Sequence, residues 1–455
     1  MAVNSPVFCP ALVISAPNSG AGKTTVTAAM ARYFTNMGKT VQVFKTGPDF
    51  IDPMILEAAS NRPVYQLDLW MVSESECQRM LYQAAIVADL ILIEGVMGLF
   101  DGTPNTADLS DLFGIPILAV IDGSAMAQSF GALVHGLVNY QPRLNFYGVI
   151  ANKIAGQGHG EMVLQSINEK ALTQDYFLRN SQISLPERHL GIMQAGELQH
   201  IDVYLEQAAQ QFANSHFNQL PKNVVFWPSK EGDDAKQYAD FKRAKPLKGQ
   251  RILVAKDNAF SFLYRANLAM LADFGAELSY ISPLQDKTLP KGDALYIPGG
   301  YPELYAQQLS QNKAFKQAVK QFAKSNKPVL AECGGMLYLL DELISENTHF
   351  TMCGVLNGKA TMNKTLSSIG QQYVDLSTVY QNIAEPCEVR GHSFHYSSAE
   401  INLTALAYSQ FYPRHTQAEA IYACDKILAS YMHWYFPSNM GFFVAFFNGE
   451  VTRDE

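Results

Sequence analysis

A short apolar run at residues 11–16 is followed, after Pro17, by Asn18, Ser19, Gly20, Ala21, Gly22, Lys23, Thr24 and Thr25, and a helical pattern opens at Gly22 and runs to Met37. This strand–loop–helix order constrains the fold more than any other feature of the chain. Small residues let a loop close its backbone N–H groups around phosphates, and the N-terminus of the next helix adds a favourable field. In such a P-loop Lys23 reaches the β- and γ-phosphates and the Thr24 hydroxyl meets Mg²⁺. A Gly-rich turn before a helix would need only the glycines; the Gly-Lys-Thr-Thr run between strand and helix favours nucleotide. Pro17 stands where the first glycine of G-x-x-x-x-G-K-[ST] is expected, so one N–H is missing from the cradle.

Other short apolar runs repeat the theme. Residues 40–45, 90–94, 116–122 and 145–152 read as strands, with a helix at 124–139. Bounded by Gly, Pro and Asp, they suit a parallel sheet buried on both faces, and the alternation with helices implies a doubly wound α/β domain. Residues 218–249 are rich in Lys, Asp and Pro with weak periodicity and read as a linker. A second α/β series follows, with strands at 251–256, 277–281, 294–297 and 328–331 and a helix at 263–274. At 455 residues the chain exceeds one ordinary core. The expected domains are 1–217 and 250–455.

Two loops place acids at the carboxyl ends of expected strands, where open α/β sheets bind ligands. One carries Asp49 and Asp52 in Lys45-Thr-Gly-Pro-Asp-Phe-Ile-Asp-Pro53; the other carries Glu94 and Asp101 in Glu94-Gly-Val-Met-Gly-Leu-Phe-Asp-Gly102. A single Asp in a loop is more often a turn or cap residue. Four acids in two loops beside a P-loop point to Mg²⁺ and substrate, with Thr24, Asp49 and Glu94 as the expected metal set. If the loops meet, the carboxylates repel unless Mg²⁺ or another cation neutralises them.

In the second half, residues 328–336 read as a buried strand, a sharp turn at Cys333 and a helix. This is a nucleophile elbow, and the helix N-terminus is expected to lower the thiol pKa. An isolated cysteine is usually a core residue; the Ala-Glu-Cys-Gly-Gly-Met setting favours catalysis. Gly299 and Gly300 end another strand, and their N–H groups suit an oxyanion. The expected base is His433, with His392 and His395 as alternatives.

Composition excludes several classes. The net charge is -8, so no whole-chain basic footprint for nucleic acid exists. Six scattered cysteines without C-x-x-C spacing argue for a reducing, cytoplasmic setting, and no run is long and apolar enough to span a membrane. A homodimer is an allowed assembly.

These motifs together resemble the cobyrinic acid a,c-diamide synthase family over nearly the full length. The resemblance runs through residues 18–25, F-K-T-G-P-D-F-I-D-P at 44–53, Y-Q-L-D-L-W at 65–70 and E-G-V-M-G-L-F-D-G at 94–102. It continues through A-F-S-F-L-Y at 259–264, P-G-G-Y-P-E-L at 298–304, A-E-C-G-G-M at 331–336 and G-H-S-F-H-Y-S at 391–397. It implies a dethiobiotin-synthetase-like ATP domain joined to a class I glutamine amidotransferase domain. The implied reaction uses ATP, Mg²⁺ and glutamine to amidate the a- and c-acetate carboxylates of a corrinoid, cobyrinate or hydrogenobyrinate, through an acyl phosphate. Cys333 and His433 match the nucleophile and base. Asp49, Asp52, Glu94 and Asp101 match acids that handle Mg²⁺–ATP and substrate. The chain departs from the family at Ser393 in His392-Ser-Phe-His395, where the family reads H-E-F-H, and at Tyr435, where a second histidine is common. Rival readings are a nickel-sirohydrochlorin a,c-diamide synthase, a cobyric acid synthase-like amidase, or a non-catalytic P-loop switch.

Overall fold

The computed structural model describes residues 5–180, 183, 187–188, 191–192, 197, 201–229, 233–377, 379–380 and 387–452. The chain divides into two compact units, Met1–Gly232 and Asp233–Glu455.

The first unit is built on one sheet. Its strands are β1 (Val7–Ser15), β2 (Val41–Thr46), β3 (Tyr65–Leu67), β4 (Leu90–Glu94), β5 (Ile117–Asp122), β6 (Phe146–Ile154), β7 (Thr173–Leu178) and β8 (Asn223–Phe226). The order β3-β2-β4-β1-β5-β6-β7 is parallel throughout, and β8 pairs antiparallel with the start of β1. The apolar runs behave as their composition demands. Leu12, Ile14, Val41, Val43, Leu90, Leu92, Leu118 and Val120 join one buried cluster, while Val13, Ile91, Ile93, Ile117 and Ala119 are fully buried as well. Helix α1 (Lys23–Asn36) follows the P-loop, and helix α2 (Ile51–Ser60) follows the first acid loop. The helix Ile201–Ala213 closes the cluster, with Phe212 edge-on to Phe34 and Phe177.

The second unit carries a ten-stranded sheet. Its strands are β9 (Arg251–Ala255), β10 (Glu277–Ile281), β11 (Ala294–Ile297), β12 (Val329–Glu332), β13 (Ser368–Asp375), β14 (Glu388–His395), β15 (Ala407–Phe411), β16 (Gln417–Cys424), β17 (Ile427–Ser430) and β18 (His433–Trp434). The order is β10-β9-β11-β12-β17-β16-β15-β13-β14-β18. The first five are parallel; from β17 onwards the pairing is antiparallel. β18 starts three residues after β17 ends yet pairs with β14 at the far end of the path. The antiparallel strands therefore return on themselves, and the segment between β17 and β18 lies beside the carboxyl end of β12. A smaller sheet orders Thr348–Thr351, Glu342–Ser345, Gly358–Met362 and Ser397–Ile401.

Within the stretch read as linker, Asn223–Phe226 is a strand of the first sheet and Asp233–Ala244 is a helix. The strand has only two buried residues, in the pattern exposed–buried–exposed–buried. The helix has a mostly charged and polar sequence with Tyr238 and Phe241 packed inward. Both signals are too short or too polar to rise above a linker composition. The antiparallel strands between residues 368 and 424 were not expected either, because buried positions there include Gln372, Ser393, Ser409 and Glu419.

The Phe212 ring supplies a test of the first core. Phe212→Ala is expected to destabilise the unit by about 3–5 kcal/mol, the usual range for deleting a buried phenylalanine. Urea unfolding followed by fluorescence and circular dichroism would measure it.

Candidate active site

The register of the first sheet assembles the first half-site. Lys45 and Glu94 are direct cross-strand partners at the carboxyl ends of β2 and β4, and Glu94 is opposite Ile14 of β1, the P-loop strand. Both side chains point to the same place. Lys45 Nζ lies 2.8 Å from Glu94 Oε1, 2.6 Å from Asp52 Oδ2 and 3.6 Å from Asp49 Oδ2. The two acids of the first loop thus meet the first acid of the second, as the strand ends require. The cation that gathers them is Lys45, 2% exposed, a residue to which the sequence reading gave no role. Its signal was there: a lysine ending a strand that is buried along its whole length.

The electrostatics follow from burial and this one ammonium. Burial alone would lower the Lys45 pKa; Asp52 and Glu94 hold it well above its ordinary value. Against the cost of burial, Lys45 pulls Asp52 down to about 2. Burial pushes Asp49 up to about 7, helped by Asp52. Burial likewise pushes Glu94 up to about 7 in spite of Lys45. One cation is therefore too little for three carboxylates.

Glu94 also links to the P-loop. Thr24 Oγ1 donates to Glu94 Oε1 at 2.8 Å, and Glu94 Oε2 is buried with no hydrogen-bond partner. An orphaned carboxylate oxygen beside a P-loop hydroxyl fits a hard cation such as Mg²⁺, which usually takes one or two carboxylates and completes its shell with phosphates and water. Among the described residues no group of three His, Cys, Asp or Glu side chains is arranged as a metal site. Of the expected metal set, Thr24 and Glu94 touch, and Asp49 joins them through Lys45.

The loop itself is open. Asn18, Ser19 and Gly20 are exposed. Helix α1 starts without a side-chain cap and without an acid in its first turn, so its N–H groups are left for an anion. Gly20 and Gly22 have φ of 79° and 95°, and a Cβ on Gly22 would overlap Asn152 Nδ2, which donates to Ala21 O at 2.9 Å. Lys23 Nζ donates to Asn18 O (3.1 Å) and Met97 O (2.6 Å), and Thr25 accepts from the Tyr204 hydroxyl at 3.1 Å. Lys153 Nζ, also unexpected, donates to Gly20 O at 2.7 Å and pairs with Asp122 at 3.0 Å. Asp101 stands apart from the Lys45 cluster: it is exposed, and its Oδ2 accepts the Gly98 N–H at 2.9 Å, a turn contact.

The second half-site lies where β12 ends. Cys333 has φ 44° and ψ -111°, between β12 and the helix Gly334–Leu339. That conformation costs a non-glycine residue about 1–3 kcal/mol, the kind of strain that clusters at active sites. Gly334 and Gly335 admit the neighbouring chain: a Cβ on Gly334 would lie 3.1 Å from Gly300 N, and one on Gly335 would overlap Ile297 O. The Gly299–Gly300 turn therefore packs directly on the elbow. The expected lowering of the thiol pKa is corrected. Burial pushes Cys333 well up, and Glu303 adds to it; the helix has six residues and offers little field against that.

His433 is placed by the same strand. Cys333 N donates to Ser430 O at 2.7 Å, and His433 opens β18 just beyond. Its ring stacks on His392 at 5.0 Å between centroids and approaches Gly299 so closely that a Cβ there would overlap Cε1. Burial, with His392 and His395, pushes His433 well below its ordinary value. His392 Nδ1 meets the Tyr264 hydroxyl at 2.7 Å, and burial pushes His392 down to about 3. His395 engages both ring nitrogens, with Ser397 O at 2.8 Å and Glu419 Oε1 at 3.0 Å, and stacks on Tyr431 at 3.7 Å. Both of its ring nitrogens are thus occupied. Glu332, the residue before the nucleophile, is buried and comes within 3.9 Å of His433 Nδ1.

Similarity to known proteins agrees with this division. Residues 12–189 match the model of the CobQ/CobB/MinD/ParA nucleotide binding domain, and residues 251–440 match the CobB/CobQ-like glutamine amidotransferase domain. A hydrogenobyrinate a,c-diamide synthase of Stutzerimonas stutzeri is 49% identical, over 95% of this chain and 96% of its own. The chain belongs to the a,c-diamide synthase family. Its fold is accordingly an N-terminal P-loop domain followed by a C-terminal glutamine amidotransferase domain. Other members are a hydrogenobyrinate a,c-diamide synthase of Pseudomonas aeruginosa, 46% identical over 95% of each chain, and a cobyrinate a,c-diamide synthase of Herminiimonas arsenicoxydans, 41% identical over 94% of each. Among the described residues no helix is long and apolar enough to cross a membrane.

The Lys45 cluster makes a prediction for this family member. Lys45→Met should cost the nucleotide-free protein about 3–5 kcal/mol, because buried carboxylates lose their counter-charge. Adding Glu94→Gln should recover part of that loss, since one uncompensated charge is gone. Urea midpoints of the single and double variants in Mg²⁺-free buffer would decide.

Proposed function

We propose that this chain uses ATP and glutamine to convert the a- and c-acetate carboxylates of a corrinoid, hydrogenobyrinate or cobyrinate, to amides. The observation that supports the reading is that one chain of this family brings together candidate residues for both half-reactions. Three carboxylates gather on a buried lysine next to an open P-loop, and the Gly299–Gly300 turn touches both the His433 ring and the strained cysteine elbow.

A carboxylate is a poor acyl donor. In the proposed first step its oxygen attacks the γ-phosphorus of ATP, the β–γ bridging bond breaks, and ADP leaves an acyl phosphate. Lys23 exchanges the carbonyls of Asn18 and Met97 for phosphate oxygens, and the backbone of residues 18–25 cradles the rest. Thr24 and Glu94 would hold Mg²⁺, with Asp49 nearby; the ion supplies charge neutralisation on the phosphates. Lys45 fixes Asp49 and Asp52 at the mouth of the site, where they orient the incoming acetate arm. Asp101 shapes the turn at Gly98 near Lys23.

Ammonia comes from glutamine at the second half-site. Burial disfavours the Cys333 thiolate, so attack needs a base, and in the proposed step His433 takes the proton as the sulfur bonds to the carboxamide carbon. Backbone N–H groups of Gly299 and Gly300 are the proposed oxyanion donors. The imidazolium then protonates the amide nitrogen of the tetrahedral intermediate, the C–N bond breaks to release ammonia and leave the thioester, and water hydrolyses the thioester to glutamate. The ammonia nitrogen attacks the acyl phosphate, phosphate leaves, and the amide forms.

Three measurements test this reading. Purified protein with ATP, Mg²⁺ and glutamine should add two amides to hydrogenobyrinate or cobyrinate, counted by mass spectrometry; more than two, or none, would overturn it. Cys333→Ala should abolish synthesis from glutamine and leave synthesis from ammonium salts. Lys23→Ala should abolish synthesis with either nitrogen source, because no acyl phosphate forms, and leave glutamine hydrolysis measurable.

A further inference from the structure

We propose that Glu332 is the positioning residue of His433, acting from the position immediately before the nucleophile. The inference rests on reading Cys333 and His433 as the glutamine-hydrolysing pair.

Cys333 N donates to Ser430 O at 2.7 Å, and Glu332 Oε1 accepts the Trp434 N–H at 3.1 Å. The segment that carries His433 is therefore tied at one end by the nucleophile's own backbone and at the other by the side chain of its neighbour. Asn267 fixes the far side of that segment, donating to Trp434 O at 2.7 Å and accepting from Phe436 N at 2.8 Å. The second Glu332 oxygen accepts the Tyr296 hydroxyl at 2.9 Å and stands 3.9 Å from His433 Nδ1. Glu332 and His433 are each 1% exposed.

A carboxylate in that position does two things for a histidine base. It favours the tautomer with the proton on Nδ1, which leaves Nε2 for the Cys333 thiol. It also offers a counter-charge when Nε2 accepts that proton and the ring becomes an imidazolium. At 3.9 Å the contact is an ion-pair distance and longer than a hydrogen bond; such contacts often tighten when the substrate is bound. Rotation of the ring away from Glu332 is hindered by His392 stacked on one face and by the close approach of Gly299.

The surroundings explain why the carboxylate is needed. Burial pushes Glu332 up to about 8 and His433 well down, because each isolated charge is costly there. Formed together, the two charges offset much of that cost. The other titratable groups facing the pair are Tyr296 on β11, Cys333 after β12, and His392 and His395 on β14, with Tyr264 bonded to His392. The nearby carboxyl groups act elsewhere: after burial, Glu303 and Glu419 raise the Cys333 thiol, and Glu419 bonds His395, while the groups that shift His433 after burial are His392 and His395. Position 435, two residues after the base, is Tyr435 and supplies no acid.

The test is Glu332→Gln, which keeps the size and an acceptor for Trp434 N but removes the charge. Glutamine hydrolysis should fall about 10- to 100-fold in kcat, the range seen when a partner that orients a functional histidine is lost. KM for glutamine should change little, and synthesis from ammonium salts should stay at the wild-type rate. The acid limb of the pH–rate profile for hydrolysis should move to lower pH, because the imidazolium has lost its counter-charge; a role in folding alone would not move it. Glu332→Asp should recover part of the rate. If Glu332→Gln does not fold, Tyr296→Phe carries the test, and a severalfold loss confined to hydrolysis is expected. Wild-type hydrolysis with an unmoved profile in Glu332→Gln, or wild-type hydrolysis in Tyr296→Phe when the first variant does not fold, overturns the proposal. Hydrolysis that survives Cys333→Ala is a different failure, of the nucleophile assignment itself.

Discussion

A strand covered on both faces can present a polar group only at its ends, and both halves of this chain obey that constraint. Along β2 and β4 every side chain is buried, and the polar residues near their carboxyl ends, Lys45 and Glu94, emerge together at one edge. Along β12 the same rule brings Glu332 and Cys333 to the carboxyl edge of the second sheet. Parallel pairing then does the rest: because neighbouring strands run the same way, their carboxyl ends share an edge, and residues far apart in sequence meet there.

The two edges handle charge in opposite ways. At the first, three carboxylates share one buried ammonium, which leaves Asp49 and Glu94 raised towards neutrality and one Glu94 oxygen without a partner. That arrangement is short of positive charge, and in the proposed reaction Mg²⁺ and Lys23 make up the difference once phosphates enter. At the second, a thiol, a carboxyl and two imidazoles are all pushed towards their neutral forms by burial. Isolated charge is costly there, and in the proposed reaction the imidazolium forms beside the Glu332 carboxylate.

The departures from family pattern find a place in this picture. Ser393 occupies the acid position of the H-E-F-H pattern; its hydroxyl lies fully buried, donating to Glu419 Oε1 at 3.1 Å. Glu419 comes from β16, pairs with His395, and is held below its ordinary value by that contact in spite of burial. Tyr435 is buried and packs edge-on to Tyr264, which bonds His392. Each of these side chains is taken up by buried contacts, Ser393 with Glu419 and Tyr435 with Tyr264.

Sequence alone determined the parallel α/β core, the P-loop, the acid loops, the elbow at Cys333 and the histidine at 433. These signals are local: apolar runs, glycines at turns and a fixed spacing of a few residues. It missed Lys45 and Glu332, although each ends an apolar strand, because a lone charge in a strand has no meaning until its cross-strand neighbours are known. It also missed the antiparallel strands after residue 368, whose buried faces hold Gln372, Ser393 and Ser409 bonded to one another. Tertiary structure decided which acids meet, that Asp101 stands apart, that both His395 ring nitrogens are engaged, and that burial outweighs the short helix at Cys333. Those outcomes depend on strand register and on the loss of water around each group, and neither is written in local sequence.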